Sequence, residues 1–452
     1  MTGAESRQYW NVEAESLLNT PQVRKIQLAK LQRLLCRLYD VKPFWRQRMD
    51  GAGIRPDKLK SLDEYSERMP IVDKALRRQL IEESGGDVMQ MVDRMIAVPV
   101  DQVVLMAATS GTTGEPTPYP HTRKDIEIFG ELFARLAWRT GIRPGDRIVH
   151  AFGLSMWLAG VPYVQFFQRV GACVLPVGAE GGSERLLRFA KQFRANTIFG
   201  TPSLIEHLID RAVDVIGSPV RDLGIKTILC AGEPGAGVPE VRAKIEQAYG
   251  GRLFDHGGAM GISCDFAEYQ GMHHIADDYI FFELVDPETR EPIPFEHGAR
   301  GMPVQTTLEH EGMLWVRECF GDIFEIFTEP CPCGRTGFRY KVIGRADDML
   351  KVKGVMVYPA SIDGVITGFC PRVTGEFRIV LTERPPRVVP PLKLKVEYGV
   401  DVKARELDAL AKEIEEKMHA RLKITPKIIW VPPNSLPRAA GKTNFFERLY
   451  EA

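Results

Sequence analysis

Lys226-Thr-Ile-Leu-Cys230, then Ala231-Gly-Glu-Pro234, then a helical run from Pro239 to Tyr249, then Gly250-Gly251 and Arg252-Leu-Phe254, follow one another without interruption. The two short apolar runs read as strands. Pro239 is a favourable first-turn residue, and the paired glycines end the helix. The unit is strand–helix–strand, and its repetition predicts a mostly parallel sheet covered by helices. Arg147-Ile-Val-His-Ala-Phe152, Ala172-Cys-Val-Leu-Pro-Val177 and Thr197-Ile-Phe199 read as further strands. Ligands of such sheets sit beyond the carboxyl ends of the strands. The loops at 108–117, 200–203, 231–234 and 255–261 follow expected strands and are therefore predicted to converge on one cleft.

Outward from this unit the texture changes. Leu28, Leu31, Leu34, Leu35 and Leu38 recur at helical spacing among Lys and Arg, predicting helix from about 13 to 50, with Pro43 and Gly51 marking its exit. A second charged helical stretch covers about 61 to 82. From about 279 to 328 the pattern is strand-like, including Tyr279-Ile-Phe-Phe-Glu-Leu-Val285 and Met313-Leu-Trp-Val-Arg317. A further shift falls near Gly344-Arg345. Beyond it come strands near 349–357, 377–382 and 392–398, a stiff connector with Pro385, Pro386, Pro390 and Pro391, and a helix from about 403 to 421. The expected fold is α/β: a large domain over 1–344, with mostly parallel sheets covered by helices plus a β-rich subdomain, and a small α+β domain over 345–452.

A chain of 452 residues exceeds what one hydrophobic core usually serves, which agrees with two domains. Lys+Arg and Asp+Glu both number 59, so nothing in the charge points to a nucleic-acid or membrane-surface partner. The opening Met1-Thr-Gly-Ala-Glu-Ser-Arg-Gln-Tyr-Trp10 has no apolar core and is not read as a signal peptide. No apolar run is long enough to span a bilayer. Eight cysteines without a secretory signal read as reduced thiols or metal ligands, and the cytoplasm is the expected compartment. Cys36, Cys173, Cys230 and Cys370 sit in apolar contexts and are expected in the core.

Ala108-Thr-Ser-Gly-Thr-Thr-Gly-Glu-Pro-Thr117 packs two glycines and, before its Glu-Pro, four hydroxyl side chains into a short run. Successive N–H groups of such a turn form a nest for anionic oxygens. The pattern is not a Walker loop, because Glu115 rather than Lys-Ser/Thr follows the second glycine. A solvated connector is the bland alternative.

Further stretches complete a set: Ala231-Gly-Glu-Pro234, Phe320-Gly-Asp322, Gly344-Arg-Ala-Asp-Asp-Met-Leu-Lys-Val-Lys-Gly354 and Leu436-Pro-Arg-Ala-Ala-Gly-Lys442. In order and spacing the chain resembles the adenylate-forming superfamily, and within it the phenylacetate–CoA ligase family. That closer resemblance runs from Tyr9-Trp10 and Lys42-Pro-Phe-Trp45 to Cys331-Pro-Cys-Gly-Arg-Thr336 and Val357-Tyr-Pro359. It implies ATP with Mg²⁺ and coenzyme A as cofactors and a small carboxylic acid as substrate. The acid would be activated as an acyl-adenylate and then passed to a thiol, a chemistry that needs positioning and charge neutralisation.

The resemblance assigns roles position by position. Ser110, Gly111, Thr112, Thr113 and Gly114 match the loop that holds the β- and γ-phosphates. Gly232, Glu233 and Pro234 match the segment against adenine, and Asp255 and His256 the next strand end on the nucleotide. Asp322 matches the acid on the ribose hydroxyls, Arg345 a ribose or phosphate contact, and Asp347 the hinge. Lys442 matches the catalytic lysine, an ammonium able to bridge the attacking carboxylate and the α-phosphate. Lys353 and Gly354 are compatible with a coenzyme A tunnel. Phe152, Gly153, Leu154, Met156, Trp157 and Gly160, with Gly200, Thr201 and Pro202, match the acyl pocket; an apolar, aromatic wall suits an aromatic or bulky acid, with helix packing as the alternative.

Three departures stand out. The family loop often has Lys where this chain has Glu115. The family's aromatic–Gly–x–Thr–Glu pattern, whose Glu helps hold Mg²⁺, is replaced within Asp255-His-Gly-Gly-Ala-Met-Gly261, with Met260 and Gly261 in place of Thr and Glu and with Asp265 and Glu268 as nearby acids. The usual Tyr-Arg-Thr is altered to Glu318-Cys319-Phe320. Cys331 and Cys333 could supply two ligands of a tetrahedral zinc site, with Cys264 and His273 or His274 in the region of the other two; packed thiols are the alternative. An acceptor other than coenzyme A (an amine, a carrier protein or a cofactor), a nucleotide-binding protein without turnover, and a homodimer all stay open at this point.

Overall fold

The computed structural model describes residues 9–109, 117–257, 260–266, 268–352, 355–383, 385–386, 388–437 and 445–451. Its centre is a 12-stranded mixed sheet. Strands Cys173–Pro176, Arg147–His150, Thr197–Gly200, Thr227–Ala231 and Arg252–Gly257 lie side by side in that order, each pair parallel. The helices Gly182–Gln192, Pro202–Ile216 and Pro239–Tyr249 connect them. The strand–helix–strand reading therefore holds for this half. After Gly257 the chain doubles back, and Gly261–Ser263, Met272–His274, Arg339–Arg345, Asp322–Phe327, Arg300–Thr307 and Ile280–Val285 extend the same sheet antiparallel. The switch is where Met260 takes a left-handed backbone, φ 55°.

One core lies under helix Arg123–Arg139, with Leu132, Phe133, Phe167 and Phe199 buried together. A second lies on the other face under Pro202–Ile216 and Pro239–Tyr249, around Ile205, Ile228, Ile245 and Leu253. The leading helices form a third core, in which Leu31, Leu35 and Leu38 pack on Trp45 and Tyr65. Here the structure differs from the sequence reading. Pro43 does not end helix Pro21–Val41 so much as begin the next, Pro43–Gly51, because its fixed φ suits a first-turn position. The stretch near 61–82 likewise divides into Leu62–Arg68 and Lys74–Glu83 on either side of Pro70. Met313–Arg317 is not a strand: Arg317 sits at φ 50°, and only Glu318–Cys319 pairs. Cys173 and Cys370 are exposed and Cys36 half-buried, so of the four cysteines expected in the core only Cys230 is there.

The last hundred residues build a separate four-stranded sheet, Lys427–Val431, Lys393–Tyr398, Val373–Leu381 and Phe446–Arg448, with helices Pro359–Thr367 and Leu407–Leu422 and their own core around Phe377, Leu394 and Ile414. Helix Pro359–Thr367 packs on helix Pro239–Tyr249. Among the described residues no helix is long and apolar enough to cross a membrane.

Candidate active site

Three strand ends meet at Gly232. Its φ of 84° is left-handed, and a side chain there would press within 3.5 Å of the Phe152 ring and 3.7 Å of Thr201 Cγ2. The backbone is what favours glycine here, since those distances are ordinary van der Waals contacts. Phe152 lies against Phe199 with ring centroids 4.5 Å apart. Thr201 caps helix Pro202–Ile216, its hydroxyl accepting from the Leu204 N–H. The Glu233 carboxylate accepts from the Ser203 hydroxyl at 3.0 Å and approaches the Ser203 N–H at 3.3 Å. Pro234 opens the turn Pro234–Gly237, which packs against strand Arg339–Arg345.

The segment Phe152–Gly160 is held on several sides. Gly160 can carry no side chain, because the Gly153 carbonyl fills that space. His150 Nε2 lies 2.9 Å from the Ala159 carbonyl. The Leu154 N–H donates to Glu180 at 3.1 Å, and the same carboxylate crowds Gly153. Met156 and Leu158 exchange hydrogen bonds with Ala108, 2.6 Å from Ala108 N to Met156 O and 3.1 Å from Leu158 N to Ala108 O, around the bridge between Ala108 and Trp157. Ala108 belongs to a two-stranded hairpin, Leu105–Thr109 with Thr117–His121, rather than to a strand of the large sheet. The loop expected to bind phosphate connects these two strands. Ser110, Gly111, Thr112, Thr113 and Gly114 themselves lie outside the described residues, as do Lys353, Gly354 and Lys442.

Asp322 and Arg345 stand opposite each other in the antiparallel register, and Arg345 Nη1 donates to Asp322 Oδ1 at 2.7 Å. Arg345 Nη2 reaches the Phe320 carbonyl at 3.1 Å and Asp347 at 3.5 Å. Gly321, at φ 83°, turns the chain into Asp322. Asp347 follows in the short helical turn Ala346–Asp348.

Asp255 and His256 point to opposite faces of their strand and are both buried. Tyr269 donates to Asp255 Oδ2 at 2.6 Å, yet burial still pushes the carboxyl up to about 6. His256 Nδ1 lies 2.8 Å from the Gly261 carbonyl and Nε2 2.9 Å from the Tyr163 hydroxyl. Burial pushes this imidazole down to about 4. At Gly261 the space for a side chain is filled by the Tyr340 hydroxyl, which donates to the Gly257 carbonyl at 2.6 Å. Asp265, a candidate substitute acid, is paired with Arg335 at 3.3 Å. Tyr163, Glu180 and Tyr340 were not legible as site residues: a lone Tyr or Glu outside a motif carries no spacing signal.

Cys264, His273, Cys331 and Cys333 place their ligand atoms within 4.8 Å of one another. The sulfurs of Cys264 and Cys331 are 3.8 Å apart, and Cys333 Sγ is 3.4 Å from His273 Nε2. His273 Nδ1 is 3.0 Å from the Thr336 carbonyl, which leaves Nε2 as the inward donor. His274 faces elsewhere, with Nδ1 at 2.5 Å from Asp277 and its ring stacked on Phe338. Between the two histidines the geometry selects His273. The donor set is Cys₃His, that of a closed tetrahedral zinc site. Tyr9 braces the same turn, its hydroxyl accepting from Thr336 N at 2.9 Å.

A parallel sheet with its loops gathered at the carboxyl ends, an Asp–Arg pair on neighbouring strands of the same sheet and a separate C-terminal sheet define an adenylate-forming enzyme. The C-terminal unit matches the model of the AMP-binding enzyme C-terminal domain over residues 354–447. A phenylacetate-coenzyme A ligase of Thermus thermophilus is 30% identical over 439 residues, covering 93% of this chain and 95% of the relative. A 2-hydroxyisobutyryl-CoA ligase in the postadenylation state, in complex with 2-HIB-AMP, superposes with a TM-score of 0.86 at 29% identity, covering 100% of this chain and 94% of that one. The same enzyme's thioesterification state, with CoA as well, superposes at 0.67, at 30% identity and over 99% and 94% of the two chains. The chain belongs to the phenylacetate–CoA ligase family. It is an ATP-dependent carboxylate–CoA ligase, an acid–thiol ligase that forms AMP.

Proposed function

We propose that this ligase acts on an aromatic or similarly bulky carboxylic acid bound beside Phe152, Gly153, Met156, Trp157, Gly160, Gly200, Thr201 and Pro202. The carrying observation is the convergence of Phe152, Thr201 and Gly232 at the strand ends, where an apolar wall meets the adenine segment. The acid's carboxylate attacks the α-phosphorus of ATP, giving the acyl-adenylate and pyrophosphate; the thiol of coenzyme A then takes the acyl group and AMP leaves. The chain's work is placement and charge compensation. Gly232, Glu233 and Pro234 back the adenine, and Asp322 accepts from the ribose hydroxyls while Arg345 holds it. Ser110–Gly114 receives the β- and γ-phosphates, and Lys442 bridges carboxylate and α-phosphate.

Residues 345–452 act as a mobile unit that turns about Asp347 between the half-reactions, with Lys353 and Gly354 meeting coenzyme A in the second. The better superposition on the postadenylation form supports an adenylation-side orientation of the described arrangement. Cys264, His273, Cys331 and Cys333 would hold a structural zinc ion, cross-linking the strand Met272–His274 and the turn at 331–336. Zinc would supply cross-linking rather than chemistry, since a Cys₃His set leaves no open position.

The test is incubation with ATP, Mg²⁺, coenzyme A and a panel of aromatic and aliphatic acids, reading pyrophosphate and acyl-CoA by mass. Aromatic or branched acids should give the highest kcat/KM. A preference confined to short linear acids would overturn the substrate assignment.

A further inference from the structure

Tyr163 is a polar group that no step above uses. It lies one turn into helix Val161–Arg169, whose start is fixed at Gly160 by the close Gly153 carbonyl. Its ring stacks flat on Phe199, 5.3 Å between centroids and 7° between planes, and meets Phe133 edge-on at 4.6 Å. Phe199 in turn touches Phe152. Phe133, Phe166, Phe167 and Phe199 are buried, whereas Tyr163 keeps partial exposure. An apolar cluster at this position would be complete with Phe. A hydroxyl here needs an account.

Its partner fixes its polarity. A carbonyl oxygen only accepts, so the 2.8 Å contact to Gly261 puts the His256 proton on Nδ1. Nε2 then carries a lone pair, and the Tyr163 hydroxyl donates to it across 2.9 Å. Burial keeps His256 neutral through the working pH range. The phenol's one proton is thereby committed. What Tyr163 can offer a ligand is an oxygen with lone pairs and no donor.

We infer that the Tyr163–His256 pair is a specificity element that accepts a hydrogen bond from a hydroxyl substituent on the acyl portion of the acid. This rests on the acid-binding reading of the Phe152–Gly160 wall. An acid without that hydroxyl leaves the Tyr163 oxygen facing an apolar group, and an O-methyl analogue, which cannot donate, is worse placed still. Sites built to bond a substrate hydroxyl discriminate far more sharply than apolar pockets do.

The experiment compares matched triplets of acids, hydroxylated, unsubstituted and O-methylated, over the ring positions of phenylacetate and benzoate and on the branched carbon of a short aliphatic acid. Acid-dependent pyrophosphate release is read with the wild-type enzyme and with Tyr163→Phe. We expect at least one hydroxy acid to exceed both its analogues tenfold or more in kcat/KM, and Tyr163→Phe to collapse that ratio to within threefold. Equal use of hydroxyl and methyl ether throughout, or an unchanged ratio in Tyr163→Phe, overturns the inference while leaving the ligase reading intact. The wild-type triplets decide the matter even where the variant fails to fold. Turnover of short linear acids alone would instead defeat the acid-binding reading, and would show as a failure of every aromatic and branched triplet together.

Discussion

Arg345 donates to Asp322 across an antiparallel pair, Nη1 to Oδ1 at 2.7 Å, so the acid assigned to the ribose is held by the last residue of strand Arg339–Arg345. A charge-assisted hydrogen bond of this kind is worth about 1.5–3 kcal/mol. Asp322→Ala should raise KM for ATP tenfold or more, read from initial rates, while leaving KM for the acid within a few-fold. Loss of acid affinity with ATP affinity intact would contradict the assignment. Arg345→Ala should produce a smaller rise of the same sign.

Gly261 cannot simply be restored to the family's glutamate. The Tyr340 hydroxyl occupies the Cβ space and also holds the Gly257 carbonyl. Overpacking of this kind costs about 1–3 kcal/mol. Gly261→Glu should therefore lower Tm by several degrees, measured calorimetrically, and should not raise kcat. An increase in turnover at unchanged Tm would show that the strand accommodates the acid.

The four-residue cluster predicts one zinc per chain by elemental analysis. Chelation or Cys331→Ser should remove the metal and lower Tm, with little change in KM for ATP. Cys36→Ser, at a half-buried thiol outside the cluster, should leave the zinc content unchanged.

Buried histidines set the acid limit of stability. Burial lowers His121, His150, His256 and His310 to about 4 each. The unfolded chain binds their protons from about pH 6.5 downward, and the folded chain does not. Their contribution is full above pH 6.5 and is lost as the pH falls toward 4. Each such proton gives a slope of up to about 1.4 kcal/mol per pH unit. Urea unfolding at pH 7.5, 6.5, 5.5 and 4.5 should show the decline. His310→Phe should flatten it by roughly one proton, since no ring nitrogen of His310 has a hydrogen-bond partner among the described residues.

Lys442→Ala should abolish acid-dependent pyrophosphate release yet spare thioester formation from a supplied acyl-adenylate, because in the proposed domain swing the second half-reaction uses another orientation of residues 345–452. Equal loss of both steps, followed by rapid quench, would remove the assigned role from this lysine.

The parallel half of the sheet, the helices between its strands and the order of the motifs were all written locally: apolar runs, Pro at helix starts and Gly at turns act through neighbouring residues. So was the pair Cys331 and Cys333, one residue apart. Long-range pairing was not. Which histidine joins the thiols depended on the sheet turning His273 inward and His274 toward Asp277, a matter of strand phase that adjacent residues cannot reveal. That Tyr340 fills the place of a side chain at Gly261, and that Tyr163 spends its proton on His256, follow from strands and a helix brought together over some 80 to 90 residues of chain. Sequence alone determined the class of enzyme, because its chemistry rests on short motifs; only tertiary structure decided which side chains meet at the strand ends, because those contacts are not local.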